Sequence, residues 1–257
     1  MGDGILNKVI LNHIYMNYHS INTSVQALSD VCFSVKEGEF VSIVGPSGCG
    51  KSTLLNIISG LTPASYGDVL IDGEKISNIS KKLGYMFQRD HLFDWLNVWD
   101  NITLGIKIQH KHKNDYYEKM NSMLLNYGLA DFKFHYPREL SGGMRQKVAL
   151  LRTLALDPEV LLLDEPFSAL DYQTRLNIGD EIYKIIKKEE KTVIMVTHDI
   201  SEAISMSDRV VVLSKRPGKI NRIFNIAFST PHISPVKSRE DSNFRIYFNE
   251  IWKELNR

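Results

Sequence analysis

The chain has 257 residues, 43% hydrophobic and 24% charged, which excludes disordered and fibrous classes and suits one large α/β domain or a domain with a sizeable subdomain. Lys+Arg 31 against Asp+Glu 30 leaves a net charge of +1, which offers no field to a polyanion and argues against nucleic-acid binding and polybasic membrane anchoring. No apolar run approaches the ~20 residues of a membrane span, residues 1–4 lack the regions of a signal peptide, and Cys32 and Cys49 cannot build a disulfide framework, so a soluble intracellular protein is expected.

In chain order, residues 9–18 alternate loosely and 31–35 reads as a strand. A turn at 36–39 leads into a buried strand at 40–44, a glycine-rich segment, and a helix from Lys51 to about Ser59 that Gly60 ends. Short strands are predicted at 69–71 and 83–87. From about 89 to 157 the pattern is helical, with helices at 99–109, 115–127 and 142–156. Strands return at 160–163, 192–196 and 209–213, alternating with helices at 172–188 and 200–206. This alternation predicts a mostly parallel sheet covered by helices, with a helical insertion. Within 240–257, Phe244, Tyr247, Phe248, Ile251, Trp252 and Leu255 form one apolar helical stripe, expected to pack on the chain's own core rather than in a partner's groove.

Gly45-Pro46-Ser47-Gly48-Cys49-Gly50-Lys51-Ser52 fits G-x-x-x-x-G-K-[ST] and falls between a predicted strand and a predicted helix. Its glycines let backbone N–H groups turn inward around phosphate oxygens, and the helix beginning at Lys51 aims its positive end there. Lys51 supplies a point charge for the β- and γ-phosphates, and the Ser52 hydroxyl can ligate Mg²⁺, with Thr53 beside it in the same nucleotide site. Cys49 lies at the helix start, where a thiol pKa can fall; a redox switch and a small loop residue both fit.

The apolar run 160–163 ends in Asp164 and Glu165. Asp164 at the strand tip suits Mg²⁺ held partly through water, and Glu165 can take a proton from an attacking water. The next apolar strand ends in Thr197-His198-Asp199, where His198 can donate to the γ-phosphate and hold the water in line with Glu165. His110 and His112 lack metal-ligand spacing and read as solvated loop. Leu140-Ser141-Gly142-Gly143-Met144-Arg145-Gln146 opens a helix with a serine and two glycines, a second anion site by the same physics.

This last segment resembles the LSGGQ signature of the ATP-binding-cassette (ABC) ATPases, with Met144 where Gln is most usual, and the resemblance covers nearly the whole chain. It implies a P-loop NTPase fold in a single nucleotide-binding domain over 1–257. An N-terminal antiparallel β subdomain and a helical subdomain inserted at 89–157 are implied with it. Gln88 matches the family's Q-loop glutamine, which touches Mg²⁺ and the water; Ser168-Ala169-Leu170-Asp171 matches its D-loop, and His198 its switch histidine. Tyr18 matches the aromatic that stacks on adenine, with Tyr15 nearby as the alternative. The resemblance further implies that two copies pair head to tail as a homodimer. Ser141, Gly142 and Gly143 of one copy then cap the γ-phosphate held by Lys51 of the other.

The motifs, with Ser214-Lys215-Arg216-Pro217-Gly218, are similar to the nitrate/taurine/aliphatic-sulfonate importer subfamily, departing from it at Asp94, Lys147 and Thr153. That likeness implies an ATPase, using ATP and Mg²⁺, at the cytoplasmic face of the cell membrane. It would serve a separate permease docked near Phe93, Trp95, Leu96 and Trp99, and indirectly a solute-binding protein. A soluble ABC ATPase of DNA repair or translation is the alternative. A P-loop kinase would leave residues 141–143 and His198 unexplained.

Overall fold

A computed structural model describes residues 7–20, 23–110, 114–230 and 234–256; His112 lies outside these. Two long strands, β1 (Asn7–Ser20) and β2 (Thr23–Lys36), precede β3 (Phe40–Val44) and α1 (Lys51–Ile58). Then come β4 (Tyr66–Ile71), β5 (Glu74–Lys75), β6 (Leu83–Met86), α2 (Val98–Ile108), α3 (Asn114–Asn126) and α4 (Gly142–Leu154). The chain continues through β7 (Val160–Asp164), α5 (Tyr172–Lys188), β8 (Thr192–Val196), α6 (Ile200–Met206) and β9 (Arg209–Leu213). It closes with β10 (Ile220–Asn225), α7 (Pro235–Ser238) and α8 (Ser242–Leu255).

The strands form two sheets, β2-β1-β4-β5 and β10-β9-β3-β8-β7-β6. The first is antiparallel. In the second, β3, β6, β7, β8 and β9 run parallel, and β10 adds antiparallel at the β9 edge. Every residue of β3, β7 and β8 is buried, because elements pack on both faces of the sheet; this is why those strands read as unbroken apolar runs. One face packs with α1 and the small sheet through Leu54, Leu55, Ile58, Val9 and Leu11. The other packs with α2, α4 and α5 through Ile102, Val148, Leu151 and Ile182.

Side-chain caps fix several helix starts. Asn97 accepts from Asp100 N, so α2 starts at Val98, one residue before the sequence pattern places it. At the other end, α4 stops at Leu154 rather than running to 156: Asp157 takes a positive φ and Pro158 follows. β5, β10 and α7 carry no periodic signal and are found only in the structure. The stripe on α8 packs on its own chain: Ile251 is fully buried and Phe244, Tyr247, Phe248 and Leu255 rest against Val44, Ile204, Val212 and Phe224. Trp252 is the exception, 56% exposed and stacked on Phe248.

The carboxyl ends of β3, β6, β7 and β8 lie along one edge of the large sheet, the place where open α/β sheets bind ligands. Among the described residues no helix is long and apolar enough to cross a membrane.

Candidate active site

β3 delivers the glycine loop to this edge, and α1 begins directly after it. Gly50, the N-cap of α1, has φ +106, and a Cβ there would fall 2.7 Å from Leu28 Cδ2, so the loop can take this path only with glycine. Lys51 is buried, its Nζ donating to Gly45 O (2.8 Å) and Pro46 O (3.0 Å), which draws the ammonium over the loop. Gly45 and Pro46 thus form the base of the loop, while Ser47, Gly48, Gly50, Lys51, Ser52 and Thr53 line a cavity of about 660 Å³. Tyr18 from β1 borders the same cavity, its hydroxyl 3.3 Å from Thr53 Oγ1. Tyr15, by contrast, is in edge contact with Tyr66 and does not border it.

Cys49 corrects the expectation of a lowered thiol pKa. It is only 1% exposed, and burial pushes the thiol up despite the neighbouring Lys51 and Arg216 charges. The small-residue reading of this position fits the structure, and the redox reading does not.

Opposite the loop, Ser52 Oγ donates to Asp164 Oδ1 (3.1 Å) at the end of β7. The Tyr85 hydroxyl sits 3.5 Å from Asp164 Oδ2 and 3.1 Å from Asn56 Oδ1. Burial raises the Asp164 pKa, the neighbouring Glu165 charge adds to the rise, and Ser52 opposes it. Asp164 and Ser52 are hard oxygen donors facing one another, a donor pair that fits Mg²⁺. Among the described residues no three His, Cys, Asp or Glu side chains cluster to hold a metal ion.

Glu165 is the hub of the cavity. Its φ is +46, a left-handed conformation uncommon for a side-chain-bearing residue, and its N–H donates to Val196 O (2.8 Å) on β8. The turn places Glu165 Oε2 3.2 Å from Gln88 Nε2, beyond β6, and 3.1 Å from His198 Nδ1, beyond β8. Three strand ends therefore converge on one carboxylate oxygen.

The remaining expected residues lie elsewhere. Ser141 caps α4 by accepting from Met144 N (3.3 Å), with Gly142 exposed beside it. Gly143 is buried against α5, where a Cβ would fall 2.6 Å from Ile178 Cδ1. Asp171 caps α5 by accepting from Thr174 N, and it too is exposed. None of the four borders the cavity of its own chain. Sequence reasoning missed three residues that do: Val25 and Ala27 on β2, and Arg216, whose Nε and Nη2 donate to Gly48 O (3.0 and 2.9 Å). The motif of Arg216 was visible, but nothing in the sequence joins the end of β9 to the phosphate loop.

An apolar groove of about 590 Å³ runs along the β6 edge, lined among others by Leu83, Phe87, His91, Phe93, Ile108 and Leu156. Of the aromatic cluster expected to form a groove, Phe93 lines it. Trp95, 73% exposed, lies against Phe93 in a tilted arrangement with ring centres 5.0 Å apart. Trp99 instead packs on Tyr117 beneath Lys133, and Leu96 is half-buried.

The family model described as ABC transporter matches residues 28–168. The ABC transporter ATP-binding protein YtlC of Bacillus subtilis (strain 168) is 44% identical over 96% of this chain and 95% of its own length. An aliphatic sulfonates import ATP-binding protein SsuB of Bacillus cereus is also 44% identical, over 91% and 92%. The taurine import ATP-binding protein TauB of Ruegeria pomeroyi is 40% identical over 87% and 84%. Among solved structures, the dimeric ATP-binding cassette MJ0796 in a post-hydrolysis state, bound to ADP and Pi, matches with a TM-score of 0.73 at 33% identity. The match covers 85% of this chain and 99% of that one. With its P-loop, its acidic strand end and its converging glutamine and histidine, the chain belongs to the ABC transporter family and is one of its ATP-binding cassette ATPases.

Proposed function

We propose that the chain is the ATP-hydrolysing subunit of an importer for a small anionic solute of the nitrate, sulfonate or taurine kind. One nucleotide-binding domain spans 1–257, with 89–157 as its inserted helical subdomain. It works at the cytoplasmic face of the membrane, through a separate permease fed by a solute-binding protein. The names of the SsuB and TauB relatives support the solute class, and they do not favour the DNA-repair or translation alternative.

The observation that carries the reading is the meeting of Gln88, Glu165 and His198 at the mouth of the phosphate loop, with residues 141–143 and Asp171 outside that cavity. The N–H groups of the loop and Lys51 hold the β- and γ-phosphates, and Tyr18 stacks on the adenine. Ser52, Asp164 and Gln88 would hold Mg²⁺, which when bound with the nucleotide offsets charge on the phosphates. Gln88 and His198 both engage Oε2 of Glu165, which leaves Oε1 to take a proton from the water that attacks the γ-phosphorus. Two copies pair head to tail, so that Ser141, Gly142, Gly143 and Asp171 of one complete the phosphate site of the other. The structure of MJ0796 as a dimer supports this arrangement. The permease docks at the groove beside Phe93 and Trp95, with Leu96 and Trp99 supporting that wall.

Uptake of radiolabelled taurine, an alkanesulfonate and nitrate into cells lacking the gene tests the reading. Wild-type chain restores uptake of at least one of the three, and Lys51→Ala restores none. Full uptake of all three without the gene would remove the importer reading.

A further inference from the structure

The turn that carries His198 is held by a charged network whose members do not line the phosphate-loop cavity. Arg175, in the first turns of α5, donates through Nη2 to the carbonyl of Leu170 (3.0 Å), the residue before Asp171. Its Nη1 lies 3.5 Å from Asp199 Oδ2, the residue after His198. Its Nε is buried, without a hydrogen-bond acceptor among the described residues, and lies 3.7 Å from Glu202 Oε1. Glu202 is itself buried and accepts a hydrogen bond from the Thr197 hydroxyl (2.7 Å), the residue before His198. Thr197 Oγ1 in turn accepts from Asp199 N (3.0 Å), and Asp199 Oδ1 accepts from Ser201 N and Glu202 N at the start of α6.

Both neighbours of His198 are therefore fixed by the same cluster, whereas the imidazole itself is exposed and meets Glu165. An exposed ring on an unrestrained turn would sample many orientations. A ring on a turn clamped on both sides has only its own side-chain torsions to lose. The same guanidinium grips the segment that ends in Asp171, so a shift of that segment reaches the histidine turn through one side chain.

We propose that Arg175 is a positioning residue for ATP hydrolysis: it ties the carbonyl of Leu170 to Asp199 and Glu202 and so sets His198 against Glu165. This rests on the roles given above to Glu165 and His198. It extends them to a residue outside the cavity, and it gives the Asp171 segment a mechanical route to the catalytic histidine.

The test is a double-mutant cycle on the full chain, with Arg175→Met, Arg175→Lys, His198→Ala and the pair His198→Ala/Arg175→Met, each measured for kcat and ATP KM after a melting curve confirms folding. Arg175→Met is expected to lower kcat about tenfold or more while KM stays within about twofold, and Arg175→Lys to recover part of the loss. On the His198→Ala background, Arg175→Met should cost no more than about twofold, because the histidine it positions is gone. The proposal is overturned if Arg175→Met turns over like wild type, or if it costs the same factor with and without His198. Near-wild-type turnover of His198→Ala would instead sink the role given to the histidine. Should Arg175→Met fail to fold, Arg175→Gln enters the same cycle with the same expectations.

Discussion

Glu165 adopts a backbone conformation that costs a side-chain-bearing residue about 1–3 kcal/mol, and the bond from its N–H to Val196 helps to hold it there. The strain has a use: without the left-handed turn, the carboxylate would not reach Gln88 and His198 together. Asp164, Glu165 and His198 were legible because each follows an unbroken apolar strand, and such strands end at the binding edge of a parallel sheet. Arg216 was not legible, because the reach of a guanidinium from one loop to another is set by tertiary packing alone. Cys49 and Cys32 give a direct check on the loop. The buried Cys49 thiol is pushed up by its burial, and Cys32 is exposed on β2. An alkylating reagent should therefore label Cys32 in the folded protein and Cys49 only after denaturation. Rapid labelling of Cys49 in the native state would show an open loop. Glu202 supplies a second check. Burial, more than the nearby Asp199 charge, pushes its pKa up to about 6 from an ordinary 4.5, against the opposing effects of Thr197, Arg175 and His198. A raised folded-state value means that the folded chain holds this proton more tightly. The stability contributed by Glu202 is thus fully present below the unfolded value and is lost as pH rises through about 6. Relative to wild type, Glu202→Gln should gain about 2 kcal/mol of stability between about pH 4 and about pH 7.5 in denaturant titrations. A pH-independent difference would show that Glu202 titrates normally.

At the scale of elements, the two ends of the helical segment are tied to the active-site edge. Arg145 on α4 donates to both carboxylate oxygens of Asp90 (2.8 and 3.1 Å), and Arg152, two turns further along, donates to the carbonyls of Asp90 and His91 (2.7 and 2.6 Å). Burial raises the Asp90 carboxyl, but the bonds from Arg145 outweigh it and hold the pKa below the ordinary value. Residues 90–91, just after Gln88, are thereby tied to the helix that starts at Gly142. Long, periodic elements such as α4, α5 and α8 could be read from apolar spacing. The two-residue β5 and the half-exposed edge strand β10 could not, since they bury too few residues to show a period. The groove was displaced for a related reason: Trp99 and Phe93 are near in sequence, but α2 turns Trp99 into the helical core and leaves Phe93 on the groove. On α8, the buried and exposed positions of the stripe differ in what they contribute to stability. Ile251→Ala should cost about 2–5 kcal/mol in chemical denaturation, as expected for a fully buried large-to-small change. Trp252→Ala, at an exposed site, should cost well under half of that. Equal costs would mean that the stripe does not face its own core.

At the scale of the whole molecule, most of the expected site residues fall into two sets on one chain. Tyr18, Ser47, Gly48, Gly50, Lys51, Ser52, Thr53, Gln88, Glu165 and His198 surround one cavity, while Ser141, Gly142, Gly143 and Asp171 stand outside it. A net charge of +1 offers no polybasic field to lipid headgroups, and in the importer reading proposed above the groove beside Phe93 is the surface offered to the permease. The central claim is that two incomplete sites become whole when two copies close over ATP. Sedimentation velocity of Glu165→Gln tests it most directly, because this variant keeps the residues of the phosphate loop and loses the carboxylate proposed as proton acceptor. A dimer is expected in ATP with Mg²⁺ and a monomer in ADP. A Glu165→Gln chain that binds ATP yet sediments as a monomer at every protein concentration would contradict it.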